Sequence, residues 1–476
     1  MTLALGRAGD PVGEAPGGSA DRAARMPRVR VPAWWRDLVA TLTWLSLLVV
    51  LGLWLANHGV QNLAHQPLTS LGRLAGLISA DLLLIQVLLM ARIPLVERSY
   101  GQDDLARRHR LVGFTSFNLM LAHVVLIVLG YASTAGSGIL AMTWSLITTY
   151  PGMLLATAAT LLLTMVVVTS LRAARRALRY ESWHLLHLYA YLGVGLSIPH
   201  EVWTGADFIA SPLSRLYWWS LYAAAAGCLI VFRLWLPLWR SLRHRVVVTR
   251  VVREAPGVVS LHLRGRGLHR LPVAAGHFMN WRFLDGAGWS RSHPYSLSAA
   301  PRRDQLRITV KESGDPGNSV MRVRPGTRAL FEGPYGRLTE AVRTRRKVTM
   351  LASGIGITPL RALLEDLSYA PGEATLIYRA SAPEDLVFKA ELDMLAHRRG
   401  ARVFYVVGPR VRGRRSWLPV TAAHLPDAAA LRELVPDIAR HDVFVCGAPG
   451  WMDAVRDAAL AAGVPAEHIH TERFGW

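Results

Sequence analysis

Cysteine and lysine are nearly missing from this chain of 476 residues, which has two of the first and three of the second. Two cysteines exclude a disulfide scaffold, a cysteine-rich zinc module and a 2Fe–2S domain held by four thiolates. Charge is sparse too, at 18% of residues against 51% hydrophobic, and mean hydropathy is +0.25. That balance excludes a disordered chain and an ordinary soluble enzyme. Acidic residues are the scarcer sign, 33 against 54 basic, for a formal net charge of +21. Such a surplus alone fits nucleic acid or anionic lipid. The placement of the apolar residues decides for the lipid bilayer, and no nucleic-acid partner is expected. The preference for arginine, 51 to 3 over lysine, points to a GC-rich bacterial source.

Six apolar runs approach the ~20 residues that a bilayer requires: Leu38–Ala56, Leu74–Ala91, Leu111–Tyr131, Pro151–Leu171, His184–Trp203 and Leu216–Phe232. Residues 1–33 are rich in Gly, Ala, Pro and Arg and are expected to form a disordered cytoplasmic tail; the first apolar run starts too late for a cleavable signal peptide. Arginines crowd the tail (Arg22 to Arg36), the second loop (Arg92 to Arg110), the fourth loop (Arg172 to Arg179) and the exit from the last run (Arg233 to Arg245). By the positive-inside rule both termini are cytoplasmic, in a multi-pass protein of the cell membrane. Beyond residue 245, short alternating runs (Arg245–Val252, Val258–Leu263, Phe278–Leu284, Leu306–Lys311) between Gly/Pro turns predict an antiparallel β-barrel. Val348–Ala352, Thr375–Arg379, Val403–Val407 and Val443–Cys446 read as parallel strands alternating with helices. The fold class is therefore a multidomain membrane protein: an all-α six-helix transmembrane bundle over 34–240, an antiparallel β-barrel over 245–342 and an α/β parallel-sheet nucleotide-binding domain over 343–476.

An ionisable side chain inside a membrane span is expensive and marks function or a buried partner. His109 and His123 stand 14 residues apart on the third run; on a helix that is about 21 Å of rise, with both side chains on one face. His187 and His200 on the fifth run are 13 apart, about 20 Å, but well off a common face in an ideal helix. Pro199 is the available source of distortion. The topology places His109 with His187 on the cytoplasmic side and His123 with His200 on the outer side, as two stacked bis-imidazole haems require. Helix-interface histidines bonded to neighbours are the alternative for each one singly. Arg108 and Arg110 flank His109 as candidate partners of haem propionates. Asp81 reads as a proton relay or as an interhelical polar contact.

In the cytoplasmic half, His293-Pro294-Tyr295-Ser296 ends a barrel strand; a tyrosine ring can lie on an isoalloxazine and a serine can bond its N5 edge. An ordinary strand with a buried tyrosine fits this motif equally well on its own. Lys311, with the turn holding Gly317 and the helix start at Ser319, makes either a pyrophosphate cradle or a surface turn. Gly354, Gly356, Thr358 and Pro359 follow a strand and open a helix, the context for a dinucleotide pyrophosphate, although the third glycine of that fingerprint is missing. Cys446-Gly447 follows a parallel strand at the same sheet edge, with Cys446 either near a nicotinamide or simply buried. Arg379 and the Arg410–Arg415 cluster are candidates for a 2′-phosphate, which favours NADPH; a solvated basic loop is the other reading.

Taken in order, these motifs, with Gly333-Pro334-Tyr335-Gly336 and the terminal Glu472-Arg473-Phe474, resemble those of the ferric reductase and NADPH oxidase family. The resemblance spans the chain from about Leu38 to Trp476. It implies two b-type haems ligated by His109, His187, His123 and His200, an FAD domain of the ferredoxin-reductase type, and a NAD(P)H domain. Tyr295 and Ser296 would contact the flavin, Phe474 would be its stacking aromatic, and Ser296, Cys446 and Phe474 would serve the hydride step. His293, where ferredoxin reductases often carry arginine, matches the membrane branch. The expected activity carries electrons from NAD(P)H through FAD and haem to an extracytoplasmic acceptor, ferric iron or O2. The rival is a membrane-anchored, haem-free flavin reductase serving a partner protein. Oligomeric state is not legible.

Overall fold

A computed structural model describes residues 6–7, 34–178, 180–285, 292–312 and 319–473. The chain divides into two compact units: residues 32–100 with 104–234, and residues 235–476 with 101–103 and the strand Gly6–Arg7.

The first unit is helical. Its long helices are α1 (Trp34–Ala56), α2 (Pro67–Met90), α3 (Gln102–Ala135), α4 (Met153–Ser170), α5 (Tyr180–Trp203) and α6 (Pro212–Cys228). Among the described residues five helices are long and apolar enough to cross a membrane: α1 to α4, and the run Pro212–His244 that begins with α6. The expected six apolar spans are thus five by this measure. Helix α5 forms with suitable length, but three histidines, Glu201 and Pro199 lower its hydropathy. Exposed leucines such as Leu48, Leu140, Leu154 and Leu161 cover the outer surface of the unit, the inverse of a water-soluble bundle. Polar groups are kept inside. Asp81 of α2 accepts hydrogen bonds from Ser46 of α1 and Tyr217 of α6, each at 2.6 Å, and Ser79 and Ser116 bond across α2 and α3. Asp81 therefore makes an interhelical polar contact.

The second unit contains two sheets. The antiparallel one comprises β1 (Val246–Ala255), β2 (Val258–Arg264), β3 (Phe278–Phe283), β4 (His293–Ser296), β5 (Gln305–Lys311) and β6 (Arg328–Tyr335), in the order β4-β3-β6-β1-β2-β5. Alternation puts Leu261, Leu263, Met279, Trp281, Ile308 and Phe331 into one core. The sheet's two edges are joined by an isolated antiparallel bridge, Leu297↔Ile308, where the sequence predicts a closed barrel.

The parallel sheet comprises β7 (Lys347–Ser353), β8 (Ala374–Ala380), β9 (Arg402–Val407), β10 (His441–Gly447) and β11 (Ile469–Arg473), in the order β9-β8-β7-β10-β11. Helices α7 (Ile357–Asp366), α8 (Lys389–Arg399) and α9 (Pro449–Ala461) belong to the same layers. Strands β7, β8 and β10 are buried on both faces, as near-continuous apolar runs require. Strand order reverses between β7 and β10, so their carboxyl ends form the switch-point crevice. Gly6–Arg7, expected within a disordered tail, pairs antiparallel with β9 at Phe404 and Tyr405.

Candidate functional site

Two pairs of histidines face each other inside the helical unit. The rings of His109 (α3) and His187 (α5) lie 6.0 Å apart between centroids, and those of His123 (α3) and His200 (α5) lie 6.3 Å apart. The 14-residue spacing keeps His109 and His123 on one side of α3. For α5 the off-face spacing is overcome, and Pro199 lies within that helix; its missing N–H loosens the ladder next to His200. Gly152 also allows a close approach, since a Cβ there would stand 2.8 Å from the His200 backbone nitrogen.

Hydrogen bonding fixes the tautomer of all four rings. His109 Nδ1 lies 3.3 Å from the Gln86 carbonyl, and His123 Nδ1 lies 2.8 Å from the Gly72 carbonyl. A carbonyl oxygen only accepts, so each Nδ1 carries the proton. His187 Nδ1 meets Ser170 Oγ at 3.3 Å, and that hydroxyl spends its own proton on the Val166 carbonyl. His200 Nδ1 meets Thr204 Oγ1 at 2.8 Å, and that hydroxyl donates to the His200 carbonyl. Both hydroxyls therefore accept from Nδ1–H. Each Nε2 is left with a lone pair, and among the described residues no protein group bonds it. This is the second-shell arrangement of metal-ligating imidazoles.

The donor set fits haem. Two imidazoles bound to one metal from opposite sides through bonds of about 2 Å hold their centroids about 6 Å apart, as both pairs do. No group of three or more His, Cys, Asp or Glu among the described residues is arranged to hold a metal ion. Paired imidazoles suit an iron whose equatorial positions are already filled by a macrocycle. Gly76 belongs to the same site, because a Cβ there would fall 2.5 Å from His123 Nδ1. Arg108 lies over the Tyr100 ring at 4.6 Å and pairs with Asp104 at 3.4 Å, while Arg110 is exposed.

In the second unit, β4 pairs with β3 so that Tyr295 stands opposite Met279 and Ser296 opposite Phe278. Ser296 is buried, Tyr295 half-buried, Pro294 exposed, and the His293 ring stacks beside Tyr295 at 6.0 Å. Burial pushes the Tyr295 hydroxyl up from its ordinary range. Lys311 is exposed and faces Asp385 at 3.8 Å. Gly317 and Phe474 lie outside the described residues, and Ser319 opens a short 3-10 turn. The terminal strand reaches the β6 turn through Glu472, which accepts from Leu338 N–H at 3.1 Å. Gly336, with φ +96°, is where a side chain would strike that carboxylate.

The switch-point crevice is built from the two loops the sequence singles out. Gly354 adopts φ +54°, and a Cβ on Gly356 would sit 2.3 Å from the Cys446 carbonyl oxygen. The Gly354–Gly356 turn and the Cys446-Gly447 turn are therefore in backbone contact. Thr358 is buried and donates to the Ile355 carbonyl at 3.0 Å, and Pro359 is buried behind it. Cys446 itself is fully buried, its sulfur donating to the Glu472 carbonyl at 3.6 Å. Burial, reinforced by Glu472, raises its thiol well above the ordinary range, so what Cys446 offers the crevice is backbone. Arg379 is also buried, and its guanidinium is spent on the carbonyls of Ala380, Val406 and Pro409. Arg410, Arg412, Arg414 and Arg415 are all exposed, and a Cβ added at Gly450 would stand 3.9 Å from Arg410 Nη2.

Comparisons with known proteins agree with this division. The family described as "Ferric reductase like transmembrane component" matches residues 75–198, and "Oxidoreductase NAD-binding domain" matches residues 350–457. Ferredoxin–NADP reductase B of Sorangium cellulosum is 33% identical over 214 residues, 42% of this chain and 84% of that protein. The ferredoxin reductase component of the 3-ketosteroid-9-alpha-monooxygenase of Mycolicibacterium smegmatis is 32% identical over 43% of this chain and 56% of its own length. Mouse NADPH oxidase 1 is 28% identical over 29% of this chain and 24% of its own length. Among solved structures, the flavohaem-like FAD/NAD binding domain of the nitric oxide dioxygenase of Vibrio cholerae is 25% identical, with TM-score 0.40, over 49% of this chain and 99% of that one.

Proposed function

The chain belongs to the ferric reductase and NADPH oxidase family, joining a ferric reductase-like transmembrane component to a half of the ferredoxin-reductase type, and we propose that it carries electrons from cytosolic NAD(P)H, NADPH by preference, to an extracytoplasmic acceptor, ferric iron or dioxygen. When bound, FAD would exchange two electrons with nicotinamide and single electrons with iron, and two b-type haems would pass single electrons across the bilayer.

The observation that carries this reading is the set of four imidazoles, each holding its proton on Nδ1, with no protein group among the described residues on Nε2, and paired ring to ring at about 6 Å. His109 and His187 would hold the inner haem, and His123 and His200 the outer one. With about 21 Å of rise between His109 and His123 in a core of about 30 Å, the two positions divide the membrane between them. Holding each iron with two imidazoles would suit electron transfer rather than binding of a gas.

In the cytoplasmic half, the roles belong to the backbone as much as to side chains. Gly356 lets the two turns at the β7–β10 switch point meet backbone to backbone, Gly354 leaves open space beside them, and the α7 N-terminus that follows would receive a pyrophosphate. Tyr295 and Ser296 would meet the flavin ring, and the exposed arginines of the Arg410–Arg415 cluster would meet a 2′-phosphate. Helix α5 is counted here as the sixth span, and arginine placement sets both termini in the cytoplasm of a bacterial cell.

An anaerobic reduced-minus-oxidised spectrum of the purified protein, titrated with NADPH and then NADH, tests the proposal. The expected result is a b-type signal from two haems per chain, fully reduced by the nucleotide. A haem-free protein whose flavin is nonetheless reduced would overturn it in favour of an anchored flavin reductase.

A further inference from the structure

Strand β5 is buried on both faces, from Leu306 to Val310. Its apolar face, Leu306, Ile308 and Val310, enters the antiparallel core. The opposite face carries Arg307 and Thr309, only 8% and 3% exposed. A charged residue on the outer face of a strand is buried only when something specific covers it. What covers Arg307 is helix α8 of the parallel-sheet half. Glu391 of α8 takes both terminal nitrogens of Arg307, at 2.8 and 2.9 Å, a bidentate pairing that fixes position and orientation together.

The same guanidinium reaches in the other direction. Arg307 donates to the Ser298 carbonyl at 2.7 Å and to Ser298 Oγ at 3.2 Å, and Thr309 Oγ1 donates to Ser298 Oγ at 2.7 Å. Ser298 follows Tyr295-Ser296 by two residues. On the far side, Arg361 of α7 shares Glu391 at 2.9 Å and pairs with Glu365, and Glu365 accepts the Ala300 N–H at 2.9 Å. The seam thus returns to the segment that leaves β4. Its two arginines and two glutamates balance in charge, so nothing is left buried and uncompensated. Arg307 also lies 4.8 Å over the ring of Phe388, which enters α8 with φ +66°, a left-handed conformation that needs such support.

We propose that the Arg307–Glu391 pair is a positioning device for hydride transfer: it sets the register between the Tyr295–Ser298 segment, on the flavin side, and the α7–α8 layer, on the nucleotide side. This rests on the flavin and nicotinamide roles proposed above. Hydride transfer needs the reacting atoms about 3–3.5 Å apart, and a displacement of about 1 Å costs about a hundredfold. Each half of the unit holds one reactant, so this seam is where their separation is fixed.

The test uses full-length protein in detergent, loaded with FAD and mixed anaerobically with NADPH, with flavin bleaching followed by stopped flow. In Glu391→Gln, FAD content and the half-saturating NADPH concentration should stay within about twofold, while the limiting rate of flavin reduction falls by about tenfold or more. A merely structural role would lower FAD content or thermal stability and leave that limiting rate in the loaded fraction intact, and such a result would overturn the proposal. If Glu391→Gln does not retain FAD, Glu391→Asp, which keeps the charge and shortens the reach by one carbon, must show the slowed limiting rate; a rate equal to the parent's rejects the proposal. A parent protein whose FAD neither NADPH nor NADH reduces would instead overturn the functional reading beneath it.

Discussion

The imidazole of His123 is held by the Gly72 carbonyl at 2.8 Å on one side and faces His200 at 6.3 Å on the other. One helix, α2, sets the ring's tautomer, and another, α5, supplies its counterpart. Among the described residues no protein group bonds Nε2 of either ring, which fits ligation of a metal better than helix packing alone. His123→Ala should therefore yield protein with one haem per chain in place of two, measured by pyridine haemochromogen. Transmembrane electron flow should stop, while reduction of a soluble dye by NAD(P)H on the cytoplasmic side continues. Two haems in that variant would sink the ligand assignment.

Gly76 offers an independent check that leaves every histidine in place. A methyl group at that position would stand 2.5 Å from His123 Nδ1 and 2.9 Å from its Cε1, closer than packed atoms approach. The ring must rotate and lose its bond to Gly72. Gly76→Ala should convert one of two low-spin haem signals to a high-spin one, read by electron paramagnetic resonance of the oxidised protein. The His109–His187 pair, about 20 Å away along α3, should keep its spectrum.

Much of this arrangement is legible in the sequence because it rests on local periodicity. Alternation marks β5, and near-continuous apolar runs mark β7 and β8, within a residue or two of their ends, and the 14-residue spacing on α3 already puts His109 and His123 on one face. The spacing on α5 misleads, since thirteen residues of ideal helix leave His200 turned away from His187, and Pro199 departs from the ideal. The same helix drops out of the hydropathy measure because three histidines, Glu201 and Pro199 lower its hydropathy. The Arg307–Glu391 seam joins positions 84 residues apart, and no local pattern encodes that; the one hint is a charged residue in an apolar strand. Arg379 shows the opposite failure. A basic residue after a parallel strand suggests a phosphate ligand, yet its guanidinium is spent on the carbonyl of Ala380 and on those of Val406 and Pro409 at the end of the neighbouring strand.

Gly356 tests the crevice without touching the haem pairs. Any side chain there meets the Cys446 carbonyl at 2.3 Å and the Gly447 nitrogen at 2.8 Å, both of them backbone that cannot swing aside. Gly356→Ala must push apart the two turns at the switch point. The half-saturating NADPH concentration should rise by about tenfold, equivalent to about 1.4 kcal/mol, with FAD content unchanged. An unaltered nucleotide dependence in a folded variant would mean that the nucleotide binds elsewhere.

Asp442, at the opposite end of the parallel sheet, governs how the second unit responds to acid. Its carboxylate is fully buried and accepts from His470 Nε2 at 3.0 Å, His468 Nδ1 at 3.1 Å, and the backbone N–H groups of Arg345 and Thr344 at 2.5 and 2.7 Å. Burial works against the charge, but these hydrogen bonds outweigh it and hold the carboxyl far below the ordinary carboxylate range. A group whose folded pKa is depressed stabilises the fold fully above its unfolded pKa of about 3.9 and loses that contribution as pH falls toward the folded value. Thermal unfolding of the second unit should therefore move to lower temperature as pH drops below about 4, through this residue among others. Asp442→Asn removes the charge that Arg345 N–H and Thr344 N–H bond, so it should lower the melting temperature at neutral pH. It should also flatten the acid limb of the profile, because the variant has no proton to take up at that position. Parallel acid limbs in the two proteins, displaced by a constant amount, would show that Asp442 stabilises by shape and not by charge.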